Sequence, residues 1–551
     1  MKREFIYLTL GILLSFVLPN KVSATVINDG YTDMRSYDPG DTVKIYINAL
    51  GIFNNTKIYL LDIENARKDS IITSVIPQNI AGLTPWEDGF GYGVTATYII
   101  PSFLHSGIYS WDNKIFFIIK SATKNAAITI LYPTNTEEAY NYAGTKSLYD
   151  YNSTNGRAHI VSFQRGFNSW MINTVKAFTT PFIQWLYTLP NYDVQMIADM
   201  DMDDYSEFSH SQILLVAGHS EYWTKQARIN FDQFVDSGKQ AIVLSGNTMW
   251  WQVRYSDDKT QLICYKDSAL DPEDDPLEKT INWPDASLQY SVLKSIGVDW
   301  IHGAYANKPY HGYYGFKITA PSSPLLQGTN LTLHDTLTCQ ANEDDATLFY
   351  GFDQNGEPLV DTTSLGFCKL EMIGYDWGES IYYPNNPQRG YGTFIAFRRS
   401  PLSGNIINVA NSNWCGNVNA GSSQGGFSSR DSLQIKQITL NMLDLLLANA
   451  DIYSNTGGNC VPTSVEPVAE TNLNVFPNPA SQMVTIQFGN SAGENYVVQL
   501  VNSLGQIVYT GSSDGQFQTT IDVSSFAEGT YFYSIVENDA VAGHGKIVVQ
   551  R

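Results

Sequence analysis

The stretch that decides the fold is Ile213-Leu214-Leu215-Val216-Ala217-Gly218-His219-Ser220-Glu221-Tyr222-Trp223-Thr224. It opens on Ile213–Val216, a short, wholly apolar run of the kind a parallel strand buried on both faces requires. Lys225–Ser237 then shows helical spacing, with Ala227, Phe231, Phe234 and Val235 on one side. Thr224 stands where a helix N-cap belongs, and Gly238 ends the helix. Ala241–Leu244 repeats the buried-strand pattern. Strand, helix, strand predicts two neighbouring parallel strands joined by a helix, with loops gathered at their C-terminal ends.

Those loops are rich in functional groups. Gly218-His219-Ser220-Glu221-Tyr222-Trp223 follows the first strand, and Ser245-Gly246-Asn247-Thr248-Met249-Trp250-Trp251-Gln252-Val253-Arg254 follows the second. Two adjacent strand ends direct both sets toward one crevice. His219 and Glu221 are candidates for moving a proton, and Asn247 for binding an oxyanion. Plainer readings stand beside these. His219 reads equally as a satisfied buried histidine, Glu221 as a partner for a backbone turn, the tryptophans as crevice wall, and Arg254 as the partner of Asp257. The acidic run Asp199–Asp204 lacks the glycine and terminal glutamate of an EF-hand loop and reads as a solvated loop. The chain has no P-loop or HExxH, so nucleotide-dependent and zincin readings lose their usual support.

Outward from this unit, the α/β text runs from Tyr132 to Ala450, with Val194–Ile197 as a further buried strand and Leu433–Leu447 as an amphipathic helix. Before it, Thr25–Leu131 reads as a β-sandwich. Thr42–Asn48 alternates cleanly after a Pro39-Gly40-Asp41 turn, and Thr95–Ile100 and Lys114–Lys120 are later strands. Met1–Ala24 reads as a signal peptide: basic Lys2 and Arg3, an apolar stretch to Leu18, and Val22-Ser23-Ala24 before the cut. A polar linker spans 451–471, and short β-runs resume from Asn472 to the end. The expected fold class is therefore multidomain α/β plus β. Its segments are a signal peptide (1–24), an N-terminal β-sandwich (25–131), a central α/β domain (132–450), a linker (451–471) and a small C-terminal β-sandwich (472–551).

Composition supports this and narrows function. At 551 residues the chain is long enough for about three or four domains. Lys plus Arg number 33 against 54 Asp plus Glu, a net charge of −21, which repels phosphate backbones and disfavours a nucleic-acid role. Charged residues are 16% and hydrophobic ones 43%, a packed globular balance. Beyond the signal stretch no transmembrane segment is expected. The cysteines, Cys264, Cys339, Cys368, Cys415 and Cys460, are odd in number and form no CxxC pair. Cys339 and Cys368 are placed to bridge, with buried free thiols as the alternative.

The tail motifs Val475-Phe476-Pro477-Asn478-Pro479-Ala480, Asn502-Ser503-Leu504-Gly505-Gln506, Gly529-Thr530-Tyr531 and Gly545-Lys546-Ile547-Val548-Val549 resemble, in order, the type A sorting domain of the type IX secretion system. That resemblance implies recognition by the type IX machinery, a Bacteroidota-type exporter, removal of the tail, and a secreted or cell-surface product.

The central motifs resemble a second family, the N,N-dimethylformamidase large (beta) subunit. They are GHSEYW and SGNTMWWQVR, Cys264-Tyr265-Lys266-Asp267, Gly144-Thr145-Lys146-Ser147-Leu148-Tyr149-Asp150, Val161-Ser162-Phe163-Gln164-Arg165, Ile373-Gly374-Tyr375-Asp376-Trp377, and Asn405 through Trp414. The resemblance implies a glutamine-amidotransferase-like α/β fold and metal-dependent hydrolysis of a C–N amide bond at iron held by tyrosines and a carboxylate. Tyr222 maps to one iron-binding tyrosine, so Tyr222→Phe is expected to abolish metal binding. Where the family carries a second tyrosine this chain has Trp250 and Trp251, with Tyr187 and Tyr192 as substitutes. The carboxylate is expected downstream near a histidine. His302 is that histidine, and Asp376 or Glu371 are the carboxylates. The substrate is an unknown small molecule or polymer. The competing reading is a non-catalytic secreted or surface protein that binds glycan or polymer on the same fold.

Overall fold

The computed structural model describes residues 25–168, 178–305, 313–341, 343–354, 356–379, 389–418, 429–454, 460, 474–487, 497–502, 507–513, 516, 518–537 and 540–551. The signal stretch 1–24 and most of the linker lie outside them. The protein is β-rich, with several sheets, and divides into two compact units at Asn459/Cys460.

The first unit begins with two sheets that enclose one apolar core. Ile27–Thr32, Thr42–Ala49 and Ala96–Ile99 form one sheet. Ser36–Tyr37, Ile115–Ile119, Gly107–Trp111, Phe53–Asp62 and Arg67–Val75 form the other. Val43, Ile45 and Ile47 point inward to meet Ile58, Leu60, Trp111 and Phe117, which is the alternation visible in the sequence.

The rest of the unit is built on a nine-stranded mixed sheet. Its parallel half runs Val194–Ala198, Ile128–Tyr132, Ile213–Gly218, Gln240–Ser245, Asn405–Asn408, all in one direction. Arg389–Arg398, Lys369–Glu379, Tyr313–Ile318 and Thr336–Ala341 extend it antiparallel. The expected pair is present in register, Ile213 opposite Gln240 and Val216 opposite Val243, joined by the helix Lys225–Asp236. Ile213, Leu215 and Ala217 pack on one face of the sheet, Leu214 and Val216 on the other, which is why this strand shows no polar alternation. Thr224 Oγ1 accepts from Ala227 N at 3.0 Å and caps the helix, whose Phe231, Phe234 and Val235 are buried.

Ile128–Tyr132 has the next strand of this sheet in sequence (Val194–Ala198) on one side and Ile213–Gly218 on the other. Connections leave in opposite directions here, so this is a topological switch point, where side loops part and open a crevice.

Three expectations are corrected. The Asp199–Asp204 run is not a solvated loop at its start: Asp199 is buried and Asp201 half-buried, Asp199 accepting from Asn135 N at 2.7 Å and Asp201 from Ala198 N at 2.8 Å. Lys120 of the sandwich reaches Glu207 at 2.9 Å, Asp38 at 3.2 Å and Asp201 at 3.5 Å, so the run anchors sandwich to sheet. Arg254 pairs with Asp271, at 2.8 Å, and not with Asp257, because Asp271 is also fixed by Thr280. Cys339 is a buried free thiol, as are Cys264 and Cys415, while Cys368 is disulfide-bonded. The Cys339–Cys368 bridge therefore does not form.

The second unit is a small β-module with its own core. One sheet holds Asn474–Phe476, Met483–Gln487 and Gln518–Asp522. The other holds Ile507–Ser512, Val497–Val501, Gly529–Glu537 and Ala540–Val549. Val484, Ile486, Val498, Leu500, Ile535 and Ile547 fill the space between them.

Among the described residues no helix is long and apolar enough to cross a membrane.

Candidate functional site

Three loops leave the C-terminal ends of adjacent parallel strands at the switch point. Ile128–Tyr132 leads into the helix Thr134–Tyr140, Ile213–Gly218 into His219 and Glu221, and Gln240–Ser245 into Gly246 and Asn247. Gly218 turns the chain with φ +79°, and a Cβ there would meet Thr179 Oγ1 at 1.9 Å, so glycine alone fits. Gly246 serves a different end. A Cβ on it would meet Glu343 O and Ser412 N, each at 2.6 Å, so the missing side chain lets the Glu343 segment come close. Backbone contacts then set the loop: Ser220 N donates to Ser245 Oγ at 3.1 Å, and Glu221 N to Thr136 Oγ1 at 3.0 Å.

The result is a buried cluster of His219, Glu221 and Glu343, whose ligand atoms all lie within 4.8 Å of one another. His219 Nε2 is 2.6 Å from Glu221 Oε1 and 3.3 Å from Glu343 Oε2. His219 Nδ1 sits 2.9 Å from Gly246 O. A carbonyl only accepts, so Nδ1 carries its proton and Nε2 faces the two carboxylates. Asn247 Nδ2 donates to Glu343 Oε2 at 3.1 Å, while its buried Oδ1 has no partner among the described residues. Tyr140 OH donates to Glu221 Oε1 and lies 3.5 Å from His219 Nε2. Tyr149 OH donates to Glu221 Oε2 at 2.8 Å. The Phe178 ring packs beside the imidazole, 5.6 Å between centroids.

Electrostatics follow from this geometry. Burial works against a charge on His219, but Glu343 and Glu221 outweigh it and push the imidazole up to about 10. Burial alone would raise Glu221, yet His219 and Tyr140 reverse the effect and hold it below the ordinary carboxylate value. Without a metal the cluster is thus an imidazolium between two carboxylates. Burial pushes the carboxyls of the following Asp344 and Asp345 well above the ordinary carboxylate value.

The expected site residues divide. His219, Glu221 and Asn247 come together at one sheet edge. Tyr222 does not join them as a ligand: its hydroxyl donates to Tyr149 OH at 2.7 Å and accepts from Lys266 Nζ at 2.7 Å. A cation already occupies the position beside that phenol oxygen. His302 is half-buried and bound to Asp299, 2.6 Å from Nδ1 to Oδ1, three residues back on its own strand, and not to the cluster. Asp376 lies in the antiparallel half of the sheet, where its Oδ2 accepts from Gly315 N at 2.7 Å and closes an irregular strand pairing. Glu371 accepts from Ser454 N at 3.0 Å. Tyr187 donates to Ser106 O and Tyr192 to Asp444, both away from the cluster.

Sequence reasoning missed Glu343, Tyr140 and Tyr149 as site residues. Glu343 is brought in by Ser412, whose N donates to Glu343 O at 3.1 Å and whose Oγ accepts from Glu343 N at 3.3 Å. The signal was present in the Asn411-Ser412-Asn413-Trp414 motif, but no spacing links it to position 343. Tyr149 lies in the Gly144–Asp150 motif, and Arg165 explains why a second motif accompanies it. Arg165 Nη1 donates to Ala143 O at 2.9 Å and to Lys146 O at 2.8 Å, and its Nε pairs with buried Glu138 at 2.5 Å. That brace holds the loop carrying Tyr149 against the helix carrying Tyr140.

Comparison with known proteins adds identity to this geometry. The family described as N,N-dimethylformamidase beta subunit-like, C-terminal, matches residues 84–424, more than half of the chain. The secretion system C-terminal sorting domain matches residues 474–550. The sorting domain makes this a secreted or cell-surface protein whose tail is recognised by the type IX secretion machinery. No curated protein matches. Among solved structures, an immunoglobulin-like β-sandwich protein of the DUF3244 family from Bacteroides vulgatus is 18% identical, over 14% of this chain and 83% of that one, with a TM-score of 0.12. A putative ThuA-like protein from Bacteroides uniformis is 10% identical, over 51% of this chain and 85% of that one, with a TM-score of 0.26. Scores this low bear on neither fold nor function, and the expected glutamine-amidotransferase-like central domain gains no support from them.

Proposed function

The chain belongs to the N,N-dimethylformamidase beta subunit-like family, and from that membership we propose that it is a secreted, metal-dependent hydrolase of a C–N amide bond, acting at the His219–Glu221–Glu343 cluster. One observation carries this reading. A buried imidazole nitrogen, with its tautomer fixed by Gly246 O, faces two carboxylate oxygens 2.6 and 3.3 Å away. That arrangement needs a cation at its centre, either a proton or a metal ion.

The donors fit a first-row ion such as iron: one imidazole nitrogen, two carboxylates, and the Tyr140 phenol alongside. They do not fit iron held by two tyrosines, since the Tyr222 hydroxyl is engaged by Lys266 and Tyr149. When bound, the ion polarises an amide carbonyl and acidifies water. The chain's own groups do the rest. Asn247 presents an amide at the Glu343 side, placed to hold a carbonyl oxygen as charge develops on it. Tyr140, half-buried and within reach of both His219 and Glu221, is placed to pass a proton to the leaving nitrogen. Phe178 and the buried walls limit water near the imidazole. A sandwich that ends before Ile128, where the first strand of the central sheet begins, rather than at residue 131, a central domain from there to 450, a C-terminal module over 472–551, and an amidotransferase-like ancestry for the parallel half of the sheet belong to the same proposal.

The test is amide hydrolysis by metal-reconstituted protein, with formamides and short N-acyl amines as substrates. Activity in the wild type that is lost in Glu343→Gln and in His219→Ala supports the reading. Activity that survives both substitutions contradicts it.

A further inference from the structure

Lys266, Tyr222, Tyr149 and Glu221 form one continuous hydrogen-bonded chain. Lys266 Nζ donates to Tyr222 OH at 2.7 Å, Tyr222 OH to Tyr149 OH at 2.7 Å, and Tyr149 OH to Glu221 Oε2 at 2.8 Å. Its direction is set by its ends. An ammonium group can only donate and an ionised carboxylate can only accept, so each phenol between them must spend its one proton toward Glu221.

The amine is held in place from several sides. Its Nζ lies 3.7 Å from the Tyr149 ring centroid, 4.7 Å from that of Trp251 and 5.1 Å from that of Tyr222. Lys266 also adopts a left-handed backbone, φ +57°, which costs a residue with a side chain and persists only where the surroundings impose it. Lys266 N donates to Thr280 O at 2.8 Å and Tyr265 N to Thr280 Oγ1 at 2.8 Å, so the strained turn is pinned from behind.

We infer that Lys266 is a positioning residue for the Glu221 carboxylate, acting through Tyr222 and Tyr149. The chain fixes Oε2 on Tyr149 and thereby turns Oε1 toward His219 and Glu343. This rests on reading the cluster as a metal site and supplies the shell that orients one of its ligands. Such outer-shell partners usually weaken metal binding by roughly 10–100-fold when removed.

The experiment uses the full chain and Co(II) as the probe. Lys266→Met keeps the stem and removes the donors. It is expected to weaken Co(II) binding by about 10–100-fold, with Lys266→Arg, which restores a donor, recovering part of the loss. A second readout needs no metal. In metal-free protein, the Tm losses of Lys266→Met and Glu221→Gln are expected to combine to less than their sum, and this coupling is expected to vanish in a Tyr149→Phe background. Wild-type Co(II) affinity in Lys266→Met, or strictly additive Tm losses, overturns the inference. Absence of Co(II) binding by the wild type instead defeats the metal reading, and the Tm cycle still decides the chain.

Discussion

Glu343 is the residue on which the site depends and, with Tyr140 and Tyr149, one that the sequence hides. It lies 122 positions beyond Glu221 in the numbering, on a strand that pairs with Asp299–Tyr305 and reaches the cluster only because Gly246 leaves room. Glu343→Gln keeps the shape and removes the charge facing His219. Because that carboxylate helps hold the imidazole near 10, the substitution is expected to lower the His219 pKa in metal-free protein, read by NMR titration of the ring protons. An unchanged titration means Glu343 does not act on His219. A second residue-scale prediction concerns Arg165, which is wholly buried and spans Glu138, Ala143 and Lys146. Arg165→Met leaves the buried Glu138 carboxylate to Arg35 and the Asn141 amide and frees the carbonyls of Ala143 and Lys146, and is expected to cost about 3–5 kcal/mol in denaturant unfolding. A loss below about 1 kcal/mol, the worth of an exposed pair, contradicts the bracing role.

At the scale of elements, the strands were legible because hydrophobic pattern and burial are directly related. Ile213–Val216 and Ala241–Leu244 are apolar throughout and proved to be parallel neighbours, and Thr224 caps the helix between them. Contacts set by tertiary packing were not legible. Asp199 and Asp201 look like surface acids in sequence but anchor to backbone N–H groups and Lys120. Tyr222 lies in the strongest motif, yet the direction of its hydroxyl depends on Lys266, 44 positions away. Gly246→Ala tests how tightly these elements converge. Its Cβ would strike Glu343 O and Ser412 N, and the resulting shift is expected to cost about 1–3 kcal/mol and to weaken Co(II) binding. A variant as stable and as tight-binding as wild type shows that the approach is not close. The Arg254–Asp271 pair carries a pH signature. Burial alone would raise Asp271, but Arg254 and Thr280 hold it well below its ordinary value. A depressed carboxylate stabilises the fold above its unfolded pKa and loses that contribution as pH falls through its folded one. Asp271→Asn should therefore cost most stability at neutral pH, with the penalty shrinking below about pH 4. A penalty independent of pH contradicts the ion-pair account.

The whole molecule joins a site-bearing unit to a separate β-module with a core of its own. The sorting-domain match predicts that protein recovered from culture medium lacks the segment from about Asn472, and the signal-peptide pattern of residues 1–24 predicts that it begins near Thr25. Intact-mass analysis checks both ends, and soluble secreted protein that retains the whole tail counts against removal. What the released unit does turns on whether the His219–Glu221–Glu343 cluster holds a metal or only a proton. The most direct measurement is the metal content of the purified wild-type chain, beside His219→Ala and Glu343→Ala, after reconstitution with iron. The account predicts stoichiometric metal in the wild type and its loss in both variants. A wild-type chain that stays metal-free, or variants that keep their metal, would contradict it and leave a binding protein for glycan or polymer as the better description.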